Sequence, residues 1–241
     1  MNVATFENLV YNYARAHGVP YISRSEQADF REFVSRKVRH FVEQTRCLYD
    51  DGVTFTLTSA DDGTYDLLDE EVFSRAVLEP RIVLISTSAS SGFSPLLDND
   101  SLPGLCSLAD ADDWGFDYRN VADAQPQKAM LFPPQTLRLT PAPNTTYYGV
   151  ISGWVQHIDL TAAAITDETD MELPETVLDA CAHFCAGELI LVGAEGPSVA
   201  AAIALANRGL ELGSRYAAKA SSMLLGDSAR RSRRSPRYFL T

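Results

Sequence analysis

Cys181-Ala182-His183-Phe184-Cys185 is the densest grouping of chemically capable side chains in the chain. Cysteines four residues apart share one helix face, a spacing that can hold zinc. Zinc needs two further ligands, and the remaining candidates, His157 and Cys106, stand in no recognised spacing. Cys181 and Cys185 also fall on an apolar stripe with Val177, Leu178 and Leu189 or Ile190, so they read first as small core residues. Ser90-Ser91-Gly92-Phe93-Ser94 is not a nucleophile elbow, because the Gly-x-Ser-x-Gly pattern is absent. Gly193-Ala194-Glu195-Gly196 lies between two expected helices rather than after a strand, which excludes a phosphate-binding or dinucleotide fingerprint. His17, His40, His157 and His183 are too dispersed for a triad. The expectation is a protein without catalytic residues, metal or cofactor. A metal-dependent hydrolase centred on Cys181, His183 and Cys185 is the enzymatic alternative.

The arginine-rich end is different in kind. Arg230, Arg231, Arg233, Arg234 and Arg237 precede Tyr238, Phe239 and Leu240. Five guanidiniums in eight residues repel one another, and such a segment alone is expected to be disordered. Against an acidic or phosphate-bearing surface it can order, with the apolar cluster as its anchor. These eight residues are the candidate partner-binding site.

Charge narrows the choice of surface. The chain has 241 residues, 46% hydrophobic and 22% charged, with a net charge of −12. That composition suits one domain, with an insertion, or two small ones. Without the five terminal arginines the remainder carries −17. Most of the excess falls in two stretches, Asp98 to Asp123 and Asp159 to Asp179. Such a body is a poor nucleic-acid binder, although an acidic wall suits a conduit through which DNA slides. Solubility alone is the plainer explanation of the acidity. Four scattered cysteines give no disulfide framework, and synthesis in a reducing cytoplasm fits. No run has the length to span a bilayer, and residues 1–6 carry no signal-peptide pattern.

The elements that must position these residues can be read from periodicity. Phe6, Leu9, Val10, Tyr13 and Ala14 have helical spacing, with Thr5 as N-cap and Gly18 and Pro20 as the stop. A second helix opens at Ser23 or Ser25 and ends near Tyr49. Its apolar stripe is Phe30, Phe33, Val34, Val38, Phe41 and Val42; its basic face is Arg31, Arg36, Lys37, Arg39 and Arg46. Val53 to Thr58 alternates as a strand, with Thr64 to Leu68 as its expected partner across the 60–63 turn. Another strand is expected over Ala76 to Thr87, crossed by Pro80. Residues 88–128 lose periodicity and read as a long loop. Thr136 to Leu139 and Tyr147 to Val155 read as a hairpin. The acidic run Asp167-Glu168-Thr169-Asp170-Met171-Glu172 leads into Leu173-Pro174-Glu175, where proline and glutamates suit a helix start. Helices follow over 177–192 and 198–225.

The expected fold is α+β: a four-helix bundle of N- and C-terminal helix pairs, an inserted antiparallel β-rich region and an extended C-terminal arm. The boundaries are 1–50 for the first helix pair, 51–158 for the insertion, 159–226 for the second pair and 227–241 for the basic tail. Ala200, Ala201, Ala202, Ala204, Ala206, Gly209, Gly213, Ala217, Ala218 and Ala220 give the last helix two possible uses. They form a seam inside the chain or a close contact between copies.

Several of these segments together resemble one family. Phe6-Glu7-Asn8-Leu9-Val10, the helix from Phe30 to Arg46, the strand Tyr147 to Val155, and above all Thr166 to Glu175 leading into Ala180-Cys181-Ala182 and Ala200 to Ala220 resemble the head-to-tail adaptor (connector) proteins of tailed bacteriophages. The resemblance covers both ends, about half the chain, and leaves 88–135 unmatched. It implies a non-catalytic virion protein of the neck, made in the host cytoplasm and assembled as a ring of twelve copies below the portal. The arm would reach the portal and the β-rich part would face the next neck or tail component. Genomic DNA would pass through the lumen without specific binding, and no membrane would be involved. The alternative from another class is a helical interaction module whose arginine tail binds nucleic acid.

Overall fold

The computed structural model describes residues 1–17, 27–59, 62–69, 71–97, 104–106, 122–132, 135–193 and 197–232. The class is α+β, with four helices and antiparallel sheets among those residues. By internal packing the chain divides into two units: Met1–Cys47 with His157–Thr241, and Leu48–Gln156. No described helix is long and apolar enough to cross a membrane.

The first unit holds α1 (Val3–Ala16), α2 (Gln27–Thr45), α3 (Glu175–Gly193) and α4 (Pro197–Ser232). In α1, Val3, Phe6, Val10 and Ala14 are buried along one stripe. The expected cap at Thr5 is corrected: the N-cap is Asn2, whose side chain accepts from the Thr5 N–H at 2.9 Å. A residue three positions after the cap supplies an amide that has no helical partner, and Asn satisfies it as well as Thr would. The expected stop at Gly18 and Pro20 and start at Ser23 or Ser25 lie outside the described residues. In α2, Val34, Val38, Phe41 and Val42 are buried, while Phe30 and Phe33 are half-buried.

The third helix is covered on most sides. Val177, Leu178, Cys181, Phe184, Cys185 and Ile190 are buried together with Ala180, Ala182 and Ala186. It packs against α1, α2 and α4, as expected for a helix this apolar. The fourth helix lies very close to it. A Cβ added at Gly209 would come within 2.5 Å of the Ala180 carbonyl oxygen. From the other side, a Cβ at Gly187 would meet the Ala206 nitrogen at 2.6 Å. Ala202 and Ala206 are buried at this contact and Ala217 is buried further along the helix, whereas Ala200, Ala201, Ala204 and Ala218 are exposed. The small residues of α4 thus form both an internal seam and an outer small-residue face. The helix also continues beyond the expected end at 225, to Ser232. No proline interrupts 198–235, and Met, Leu, Ala and Arg there are good helix formers. Arg230 and Arg231 are therefore helical.

The second unit contains two antiparallel sheets. One has the order β1 (Tyr49–Leu57), β7 (Tyr147–Val155), β3 (Val77–Ser86), β4 (Ser94–Pro95); the other is β2 (Thr64–Asp66), β6 (Thr136–Thr140), β5 (Lys128–Phe132). Two expected pairings are corrected. β1 pairs with β7 rather than with β2, and β6 pairs with β2 and β5 rather than forming a hairpin with β7. Alternation identifies a strand but carries no information about its neighbour. β7 takes the centre because both flanking strands can lie against it. Gly149 faces Phe55 across the β1 pairing, and any Cβ there would come within 2.1 Å of the Phe55 ring. Pro80 sits where the β3 register shifts, between Pro80 and Ile82, which spares a ladder bond that proline cannot make. Within the expected 88–128 loop, β4 and the start of β5 are ordered strands; residues 98–103 and 107–121, with Trp114, Phe116 and Tyr118, lie outside the described residues.

The α3–α4 contact has a direct test. Gly209→Val is expected to destabilise the protein by about 3 kcal/mol through forced separation of the helices. Ala204→Val, on the exposed side of the same helix, should change stability by less than about 1 kcal/mol. Urea denaturation followed by circular dichroism measures both, and equal effects would contradict the close packing.

Candidate functional site

The acidic segment before α3 and the basic face of α2 meet in the first unit. Arg31 Nε donates to Glu7 Oε1 at 2.7 Å and its Nη2 donates to Oε2 at 3.0 Å, a bidentate pair. The same Nη2 also donates to Asp167 Oδ1. Glu7 is only 5% exposed. The hydrogen bonds to Glu7 raise the Arg31 pKa, burial opposes them, and Asp167 adds to the rise. One guanidinium thus joins α1, α2 and the acidic segment. Backbone bonds support it: the Val3 N–H donates to Thr169 O and the Ala4 N–H to Asp167 O. Further along, the Ile158 N–H donates to the Glu172 carboxylate at 3.2 Å, so Glu172 serves the segment before α3 as well as lying near that helix's start. Lys37 bonds Glu188 of α3.

An open groove of about 940 Å³ runs along α2 and the 159–165 segment. Asp29, Glu32, Glu43 and Asp159 balance Arg31, Arg36, Lys37 and Arg39 around it, so it has no net preference for either sign of ligand. Asp159 at its edge accepts three hydrogen bonds. Burial pushes that carboxyl up, but hydrogen bonds from the Thr161 N–H, the Thr161 hydroxyl and the Ser35 hydroxyl outweigh it and hold the pKa below its ordinary value. Ser35 Oγ in turn accepts from the Leu160 N–H at 2.9 Å. This is a latch between α2 and the segment entering from residue 157.

The cysteine cluster behaves as core. Cys47, Cys181 and Cys185 are free and buried. Burial pushes the Cys47 thiol up to about 11, and burial with the neighbouring Cys185 raises Cys181. A thiol in that state is a poor nucleophile and a poor metal ligand. Among the described residues no three His, Cys, Asp or Glu side chains are placed to share a metal. His183, which the sequence sets between the two cysteines, points elsewhere. Its ring stacks on Tyr13 with centroids 4.3 Å apart, and its Nδ1 lies 2.8 Å from Asp179 O. Tyr13 also bonds Asp179 Oδ1 at 2.5 Å; that bond, with burial and the Asp179 charge, raises the phenol to about 12 despite the nearby Arg208. Such a phenol stays protonated at neutral pH and knits α1 to α3.

Of the candidate partner-binding residues, Arg230 and Arg231 fall in the last turn of α4. Arg233, Arg234, Arg237, Tyr238, Phe239 and Leu240 lie outside the described residues.

A third acidic stretch lies outside the two named above. Residues 47–74 contain Asp50, Asp51, Asp61, Asp62, Asp66, Asp69, Glu70 and Glu71, with no lysine or arginine. In the second unit, Asp62, Asp66, Asp69 and Glu71 line one open groove of about 1010 Å³. A count of basic-free windows in the sequence would have found it. No protein-family model matches the chain, and the curated proteins hold no significant match to it.

Two outcomes test the polar framework of the first unit. Glu7→Gln should cost about 3 kcal/mol in urea denaturation, because it leaves the Arg31 charge half-buried with only Asp167 beside it. Asp159 contributes stability that is complete above its unfolded pKa and is lost as pH falls through its lower folded value. Melting temperature against pH should therefore drop less steeply below pH 4 in Asp159→Asn than in the parent. Parallel curves would remove Asp159 from the account.

Proposed function

We propose that the chain is a structural neck protein of a tailed bacteriophage, a head-to-tail adaptor that assembles as a ring beneath the portal. The observation that carries this reading is the way the chain is organised. Helices from its two ends share one unit, the last of them carries Arg230 and Arg231 in its final turn with three more arginines following in the sequence, and a β-rich unit is inserted between α2 and the acidic segment. Each unit, under this reading, serves a different neighbour. Under this reading the four helices form the bundle that builds the ring. Support comes from α3, which packs against the other three, and from the outer alanines of α4, which leave small surface beyond the internal seam.

The arm is residues 227–241, and its role is to dock on the portal. Arginine pairs bidentately with carboxylates, and Tyr238, Phe239 and Leu240 add apolar contact at the tip. A protein surface suits these arginines better than DNA does, because the rest of the chain carries −17 and repels phosphate. The same repulsion suits a lumen through which DNA passes without sticking. The role needs no catalytic group. The buried thiols, the bonded phenol and the latched carboxylate of the first unit are all engaged in holding the fold.

Deletion of residues 229–241 is expected to leave the melting temperature within about 2 °C, since it removes only the end of α4 and the tail. Binding to the portal ring of the same virus, followed by sedimentation, should be lost. Normal portal binding by the shortened protein would overturn the arm. Salt-sensitive binding of the intact protein to plain duplex DNA, lost with the tail, would favour the nucleic-acid reading instead.

A further inference from the structure

The groove of the second unit has a composition suited to one kind of ligand. Buried aromatic core supports it from beneath: the Phe55 ring lies over Gly149, 5.1 Å from the Phe73 ring and 6.3 Å from that of Tyr65. Phe93 and Tyr148 are half-buried at its sides. Asp62, Asp66, Asp69 and Glu71 are exposed around it. Each aspartate uses one oxygen to cap its own turn, accepting from the Thr64, Leu68 and Glu71 N–H groups respectively. Among the described residues none of the four carboxylates forms an ion pair, whereas Asp50 and Glu79 of the same unit pair with Arg75 and Arg81. Like charges gathered at one groove repel, and a cation between them relieves that repulsion. Carboxylates beside aromatic faces favour guanidinium over ammonium, because arginine both forks onto carboxylates and stacks on rings.

This chain itself carries a segment of that chemistry. We propose that the groove of one copy receives the arginine-rich segment 230–240 of a second copy. The arginines meet the carboxylate rim, and Tyr238 and Phe239 add contact with the aromatic sides. Every copy then carries one receptor and one inserting segment. Such a heterologous contact propagates from copy to copy and closes into a ring when the rotation allows. The same arginines cannot hold a neighbour's groove and a different partner's surface together, so engaging one releases the other. The inference does not rest on the adaptor reading, since its test contains no portal.

The test uses the full chain with Arg230, Arg231, Arg233, Arg234 and Arg237 all replaced by Ser, so that the groove is available. A fluorescent peptide of residues 229–241 is titrated into it at low ionic strength, and anisotropy is followed. Saturable binding is expected. Asp66→Asn with Asp69→Asn, which keeps the turn-capping oxygens, should weaken it about tenfold. Glu168→Gln with Asp170→Asn, an equal loss of exposed charge in the first unit, should weaken it less than about twofold. Lysine in place of the peptide arginines, or Ser in place of Tyr238 and Phe239, should each weaken binding several-fold; these peptides leave the folded chain unaltered. Absence of saturable binding overturns the proposal. So does equal weakening by the two double substitutions, which would show attraction to the acidic body as a whole.

Discussion

Glu7 lies on the buried side of α1, and its charge can stay there because the Arg31 guanidinium meets both of its oxygens. A carboxylate this enclosed without a partner would cost several kcal/mol. Arg31 also reaches Asp167, so one residue of α2 fixes the positions of α1 and of the segment that leads into α3. The acidic segment is remote from the other two in sequence, because the inserted unit Leu48–Gln156 separates it from α2. Most of the other polar order in the first unit is compatible with this junction and adds to it. Asp159 latches to Ser35, Glu172 receives the Ile158 amide, and Tyr13 meets Asp179. The acidic segment is thereby committed to folding, which leaves its surplus charge, rather than its geometry, as the property available to a partner.

Apolar packing completes the unit by a different route. α3 is too apolar to face water, and α4 covers it at a distance that only glycine and alanine permit. Bringing helices this close maximises contact between backbones, and any added side chain acts as a wedge. The exposed alanines on the opposite side of α4 repeat the same character outward. A helix with small residues on two faces fits the proposed assembly, in which one face closes the fold and the other remains for a neighbouring copy.

Some of this was legible in the sequence. The α2 stripe of Val34, Val38, Phe41 and Val42 and the alternation of Val53, Phe55 and Leu57 report burial directly, and the structure buries those residues. The Ala/Gly content of α4 was legible as closeness but not as direction, because composition does not say what approaches. Strand partners were not legible. The turn signals near residues 62 and 142 suggested local hairpins, yet β7 takes its neighbours from residues 49–57 and 77–86. β5 was missed because Lys128 to Phe132 lacks alternation and stands between Pro126 and Pro133. Nothing local to Glu7 signals its burial, which depends on Arg31, twenty-four positions away. The acidic groove was missed because the charge was summed over other windows; its carboxylates lie along β2 and the adjoining turns and come together only when those fold.

The account centres on assembly: a chain whose long last helix and arginine-rich end act between molecules. Its most direct test is the mass of the complex formed when the purified full chain is mixed with the portal ring that the proposed role requires. Native mass spectrometry with particle imaging can read it. The account predicts a closed ring of this chain, twelve copies, seated on the portal. A chain that forms no ring, with or without the portal, would contradict it.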